Sequence, residues 1–272
     1  MRVTLLGTGD TTGTPVPRCD CPTCTRSRET GQERSRFSVH VENERTGESL
    51  LIDASPDFRA QFLETSVPLP DEAVISHVHF DHLDGLGNVY RLLQELPVHA
   101  ANETDPETRQ SVAGTVSSRY GYLDQLTVHP ETPFERFEAA GFSVTLVPVE
   151  HPPLVSYGLR IEGENAILAL TGDTSFAIPE RSRAVLRGAD LLLAEAIVPA
   201  AMCEKHPLGG RHKNADGVPR SFGTKHMTRE GALEMAEELD AEQVKLVHLS
   251  HRYPADEAFG PKLGVDGDVF TL

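Results

Sequence analysis

Short apolar runs set off by Gly, Pro and Asp recur along the chain: Val3–Leu6, Ser49–Ile52, Ala73–Ile75, Phe142–Val149, Tyr157–Ile161, Ala166–Leu170, Asp190–Leu193 and Val244–Val247. Runs of this length between turn-forming residues predict strands. Apolar positions at helical spacing predict helices over Asp57–Thr65, Gly85–Leu96, Asp105–Tyr120 and Thr228–Leu239. The last carries its stripe on Ala232, Leu233, Met235, Ala236 and Leu239, and its N-terminus opens just after His226. Strands alternate with helices through both halves, which predicts a layered α/β fold. No linker or repeat interrupts the pattern, so one domain over residues 1–272 is expected.

The densest chemistry is His77-Val78-His79-Phe80-Asp81-His82, straight after the strand Ala73–Ile75. A strand ending in a tight loop can converge several ligands on a small volume, and the mixture of imidazole and carboxylate suits Zn as well as Mn or Fe. Further ligands are expected at neighbouring strand ends. His151, Asp173 and His248 each follow a predicted strand. Any one of these alone would be an ordinary surface residue; with the first motif they complete a set.

Composition narrows the partners. The chain carries 25 Lys and Arg against 41 Asp and Glu, a formal charge of −16. That sign repels phosphate backbones at long range and argues against broad nucleic-acid binding. The stretch from Cys203 to His226 runs against the trend, with Lys205, His206, Arg211, His212, Lys213, Arg220 and Lys225. It is also Gly-rich and reads as a loop, either a positive patch for a phosphorylated substrate or a solvated surface. Gly7-Thr8-Gly9, with Gly13 and Pro15, forms a turn-rich loop that is neither a Walker nor a dinucleotide fingerprint. No apolar run approaches the length of a membrane span, and Met1–Gly7 leads into a strand rather than a signal peptide, so a cytoplasmic protein without membrane attachment is expected.

Three of the four Cys lie together in Cys19-Asp20-Cys21-Pro22-Thr23-Cys24, a crowding that suits one Zn ion in a reducing compartment better than disulfides. By chemistry alone His251, His40 or Cys203 could supply a fourth ligand. In Thr224-Lys225-His226-Met227-Thr228, His226 lies outside the metal set and could donate a proton to a leaving oxygen. A carboxylate such as Glu195 could orient it.

The H-x-H-x-D-H motif with distant His, Asp and His resembles the metallo-β-lactamase superfamily over nearly the whole chain. The resemblance implies a four-layer αββα sandwich with the site at the shared edge of two sheets. It implies one divalent metal on His77, His79 and His151, a second on Asp81, His82 and His248, Asp173 bridging them, and Asp53 as a supporting carboxylate. Two such ions, Zn or Mn, would lower the pKa of a bridging water, whose hydroxide attacks. The Cys cluster and the spacing His248-Leu249-Ser250-His251 resemble the phosphoribosyl 1,2-cyclic phosphate phosphodiesterases. This implies a structural Zn on Cys19, Cys21, Cys24 and His251, catalytic roles for Asp81, His226 and Glu195, and a small phosphorylated substrate; it allows a homodimer. Lys225–Thr228 and His248–Tyr253 also resemble ribonuclease Z, but that family is expected to carry a tRNA-gripping arm between the counterparts of His151 and Asp173, here only 22 positions apart. A cofactor-biosynthesis family associated with pyrroloquinoline quinone shares the Cys cluster.

Overall fold

The computed structural model describes residues 1–272. Two mixed sheets face each other. The first has seven strands in the order Val269–Thr271, Arg2–Gly7, Ser38–Glu42, Ser49–Ile52, Glu72–Ile75, Leu96–Ala101 and Leu126–Glu131. The second has six, in the order Gln243–Val247, Leu191–Glu195, Ile167–Leu170, Ser156–Glu162, Phe142–Val149 and Arg136–Ala139.

Side-chain alternation explains the layering. In the fully buried strand Leu191–Glu195, Leu191 and Leu193 join the core between the sheets. Leu192 and Ala194 point the other way, onto Ala232, Met235 and Leu186 of the outer helices. Helices Glu180–Leu186 and Arg229–Glu238 cover the second sheet, while Phe58–Thr65 and Val112–Tyr120 cover the first. The result is the expected αββα sandwich. Each fully buried Leu, Ile or Val contributes about 1.5–3 kcal/mol of the driving force.

Several elements differ from expectation. The predicted helix over Gly85–Leu96 is a 3-10 helix at Asp84–Val89, followed by turns in which Arg91 has φ of 66°, and Leu96 already begins a strand. Over Asp105–Tyr120 the helix starts only at Val112. Asp105 accepts the Glu107 and Thr108 N–H groups and makes a local turn, and Ser111 caps the helix by accepting the Gly114 N–H. The stretch 203–226 is not a plain loop. It holds the end of a 3-10 helix, Ala200–Lys205, and most of a three-stranded sheet of Gly210–Arg211, Ser221–Phe222 and His226–Met227. No helix is long and apolar enough to cross a membrane.

Two glycines fix how the loops meet at the sheet edge. Gly172 has φ of 63°, and a Cβ there would lie 2.4 Å from the Tyr157 carbonyl oxygen, so only Gly lets the chain turn there to deliver Asp173. Gly85 donates to the Ala54 carbonyl at 2.8 Å, and a Cβ would lie 2.1 Å from the Ser55 carbonyl oxygen. Gly85→Ala must therefore displace the Asp53–Ser55 backbone. We expect a loss of about 1–3 kcal/mol in urea unfolding of the metal-free protein; an unchanged midpoint would show that this contact is not what sets the loop.

Candidate active site

The sequence-predicted ligands meet where strands of both sheets end. His77 and the short helix Phe80–Leu83 follow Glu72–Ile75, His151 follows Phe142–Val149, Asp173 follows Ile167–Leu170, and His248 follows Gln243–Val247. Asp53 and His248 both have left-handed backbones, φ of 57° and 55°, that swing their side chains back toward the shared edge. Such conformations cost about 1–3 kcal/mol each and persist where the surroundings fix them.

The side chains form two abutting groups. His77 Nε2 lies 3.0 Å from His79 Nδ1, and His151 Nε2 lies 3.3 Å from the same atom. Asp81 Oδ2 lies 3.7 Å from both His82 Nε2 and His248 Nε2. Between the groups, Asp173 Oδ2 is 3.7 Å from His77 Nε2, 3.6 Å from His82 Nε2 and 3.3 Å from His248 Nε2. In each group, the first together with Asp173, the candidate ligand atoms lie within 4.8 Å of one another.

Outer contacts aim the rings. Asp53 accepts from His82 Nδ1 at 2.6 Å and from the Ser76 N–H and hydroxyl at 2.7 Å each. His151 Nδ1 donates to the Lys225 carbonyl at 2.9 Å, which leaves its Nε2 as a bare lone pair facing His79. His82 Nε2 and both His248 nitrogens are buried without a hydrogen-bond partner. Inward lone pairs, orphaned imidazole nitrogens and two buried carboxylates are what a cation site requires, and this donor set fits divalent metal ions.

The electrostatics agree. Burial holds His77 well below the usual histidine range, lowers His79, and takes His151 down to about 3, so all three are neutral ligands. Burial acts against charge on His82 and His248 too. There the Asp173 carboxylate, with Asp53 at His82 and Asp81 at His248, overrides it and raises His82 well above its ordinary value and His248 to about 9. Burial acts to raise Asp81, yet His248 and His82 bring it down to about 2. The carboxylates thus favour the charged forms of His82 and His248 in the metal-free protein.

His226 and Glu195 adjoin this centre. His226 Nδ1 lies 3.2 Å from Glu195 Oε1, and its ring centroid is 4.9 Å from that of His151 and 5.4 Å from that of His248. Glu195, pushed up by burial, also accepts the Thr174 and Met227 N–H groups. Thr228, two residues on, caps helix Arg229–Glu238 by accepting the Gly231 N–H at 3.0 Å.

A separate cluster gathers Cys19, Cys21, Cys24 and His251. The three sulfurs lie 3.5, 3.4 and 3.5 Å from His251 Nδ1. Zinc bonds of about 2.3 Å to sulfur and 2.0–2.1 Å to nitrogen give tetrahedral edges of about 3.5 Å, so this set fits zinc. Cys21 caps helix Pro22–Thr30 and accepts the Cys24 N–H, while burial raises Cys24 to about 12. Of the other candidate fourth ligands, His40 is buried in the first sheet against Phe62, and Cys203 packs with Val198 and Phe222. Sequence reasoning missed Ser76 and the Lys225 carbonyl. A backbone acceptor carries no residue signature.

The chain belongs to the β-lactamase superfamily domain family, whose model matches residues 48–249. It is similar over its full length, at 27% identity and TM-score 0.78, to the crystal structure of a diphosphatase from the PhnP family, covering 97% of that chain. It shares the fold of zinc-bound PqqB from Methylobacterium extorquens, with TM-score 0.77, 21% identity and full coverage of both chains. Over 265 residues, 93% of the chain, it is 28% identical to an octanoyltransferase from Porphyromonas gingivalis, and it spans 47% of that protein's length. Family, fold and the His/Asp clusters together define a hydrolase of the metallo-β-lactamase fold.

Metal binding must expel the protons that His82 and His248 hold. Titrating metal-free protein at pH 7 with manganese, which the thiol cluster does not favour, should release about two protons per chain, and affinity should rise with pH toward 9. Calorimetry in buffers of different ionisation enthalpy measures the release; binding without it would contradict the electrostatic account.

Proposed function

We propose that the protein is a phosphodiesterase that opens a small cyclic phosphodiester, phosphoribosyl 1,2-cyclic phosphate, with two divalent ions, Zn or Mn, at the His/Asp centre. His77, His79 and His151 would hold one ion, Asp81, His82 and His248 the other, and Asp173 both. Bound there, the ions would supply Lewis acidity to the phosphoryl oxygens and make water a competent nucleophile at neutral pH. The observation that carries the reading is His226, an imidazole outside the two ligand groups assigned above, held on a buried carboxylate beside the centre. With Nδ1 on Glu195, its Nε2 is left to meet substrate.

The chain's own part then follows. Glu195, fixed by the Thr174 and Met227 N–H groups, orients His226. As a water that has lost one proton to solvent bonds through its oxygen to phosphorus and the ring P–O bond breaks, His226 Nε2 gives its proton to the departing sugar oxygen. The product is a phosphate monoester. Thioester cleavage would have no need of such a donor, because a thiolate leaves unaided. A ribonuclease Z reading is disfavoured because the segment from His151 to Asp173 is spent on the antiparallel pair Ser156–Glu162 and Ile167–Leu170, with no room for a tRNA-gripping arm. Octanoyl transfer is named for a protein of which this chain spans less than half. A structural zinc on Cys19, Cys21, Cys24 and His251 would tie the loop before helix Pro22–Thr30 to the segment after His248, and thiols kept reduced for it suit a cytoplasmic setting.

Phosphorus NMR of phosphoribosyl 1,2-cyclic phosphate with metal-loaded protein tests the reading. Ring opening should occur, and His226→Ala should slow it about 10²–10⁴-fold. An unchanged spectrum from protein shown to hold its metals would reject this substrate. Separately, Cys21→Ser should lower the zinc content by about one ion per chain; an unchanged content would reject the thiol site.

A further inference from the structure

We propose that Lys225 is a specificity-determining residue whose ammonium binds a second anionic group of the substrate, a phosphate other than the scissile one. The inference rests on the phosphodiesterase reading above and deepens it. Lys225 sits in the tight turn between strands Ser221–Phe222 and His226–Met227, where Gly223 takes φ of 61°. Both sides of this residue are tied to the centre. Its own carbonyl accepts from His151 Nδ1 at 2.9 Å, and the next residue, His226, is held by Glu195 at 3.2 Å. The turn is thus anchored beside the centre on both sides of Lys225, its one cationic residue.

That side chain is exceptional in its lack of a partner. Every other Lys or Arg that is at least partly shielded from solvent meets an oxygen. Arg36, Arg160, Arg183 and Lys245, for example, meet carboxylates, and Arg26 and Arg34 meet backbone carbonyls. Lys225 is half-buried and makes neither an ion pair nor a hydrogen bond, in a chain that offers 41 Asp and Glu. An ammonium without a counter-charge gains a charge-assisted partner when an anion arrives.

The identity of the anion follows from position. The scissile phosphoryl must lie against the His/Asp centre and His226, where its oxygens already have partners. Lys225 flanks this point, and a lysine is a point-charge binder well suited to a phosphate monoester. A substrate with a phosphate on the far side of its sugar from the reacting ester would satisfy both. Neutral diesters and lone cyclic phosphates would leave Lys225 unpaired.

The test uses full-length, metal-loaded protein and two substitutions, Lys225→Gln and Lys225→Arg. Neither changes the backbone carbonyl that His151 uses. Binding of ribose 5-phosphate, which carries the far phosphate and no ester to cleave, is measured by calorimetry. Hydrolysis of ribose 1,2-cyclic phosphate is compared with and without the 5-phosphate. Lys225→Gln should weaken ribose 5-phosphate binding about tenfold or more, Lys225→Arg should retain most of it, and the loss in kcat/KM should be at least about tenfold greater for the phosphorylated ester, chiefly through KM. Equal losses on both esters would assign Lys225 to the scissile phosphate, and unchanged ribose 5-phosphate binding would remove it from recognition; either overturns the proposal. If neither ester is opened by the unaltered protein, the phosphodiesterase reading fails, while the binding comparison still decides the role of Lys225.

Discussion

Four carboxylates, Asp53, Asp81, Asp173 and Glu195, lie nearly inaccessible to solvent within a single cluster of imidazoles. Burying unpaired negative charge is among the most expensive things a fold can do, and the penalty falls away only when a cation takes the centre. Asp53 and Glu195 are each satisfied by hydrogen bonds from protein groups. Asp81 and Asp173 make no hydrogen bond and are left facing imidazole nitrogens 3.3–3.7 Å away. The structure holds this unfavourable arrangement ready, and the metal-ion chemistry of the family explains why.

The two sheets make the arrangement affordable. His77, His151, Asp173 and His248 follow closely on strands held in the sheet ladders, and Asp81 and His82 sit on the short helix Phe80–Leu83 just beyond one of them. The strained residues Asp53 and His248 and the enforced glycines at 85 and 172 cluster at this edge, where loops from both sheets crowd together. A further layer of contacts then fixes ring orientation. Ser76 serves Asp53, and the Lys225 carbonyl serves His151, so the turn that carries His226 is also the turn that aims a metal-site histidine. His226 and His151 are thus tied to one and the same turn.

Much of this was legible in the chain because local chemistry and strand periodicity point the same way. The six residues from His77 to His82 declare themselves by density, and His151, Asp173 and His248 by following apolar runs. Helix Arg229–Glu238 could be read from its stripe and from Thr228 as cap. Where sequence reading failed, a pattern had two solutions. Leu86, Val89, Leu92 and Leu93 fit a helical face, yet Gly85 must stay close under Ala54 and Ser55, and the chain turns away after Val89. Strand Ser38–Glu42 went unseen because His40 breaks its apolar run, although the sheet buries that ring completely enough to hold its pKa at about 4. At the thiol cluster residue chemistry alone left His251, His40 and Cys203 open; the family spacing pointed to His251, and the structure gathers that residue with the three thiols.

The central claim is that Asp81 and Asp173 are held buried for a pair of metal ions. Anomalous X-ray scattering from crystals of the purified protein, collected at the zinc and manganese edges, tests it most directly. The account predicts two peaks about 3.5–4 Å apart, one among His77, His79 and His151, the other among Asp81, His82 and His248, with Asp173 between them. A fully ordered centre in well-diffracting crystals grown with both metals, but with no anomalous peak beside Asp173, would contradict it.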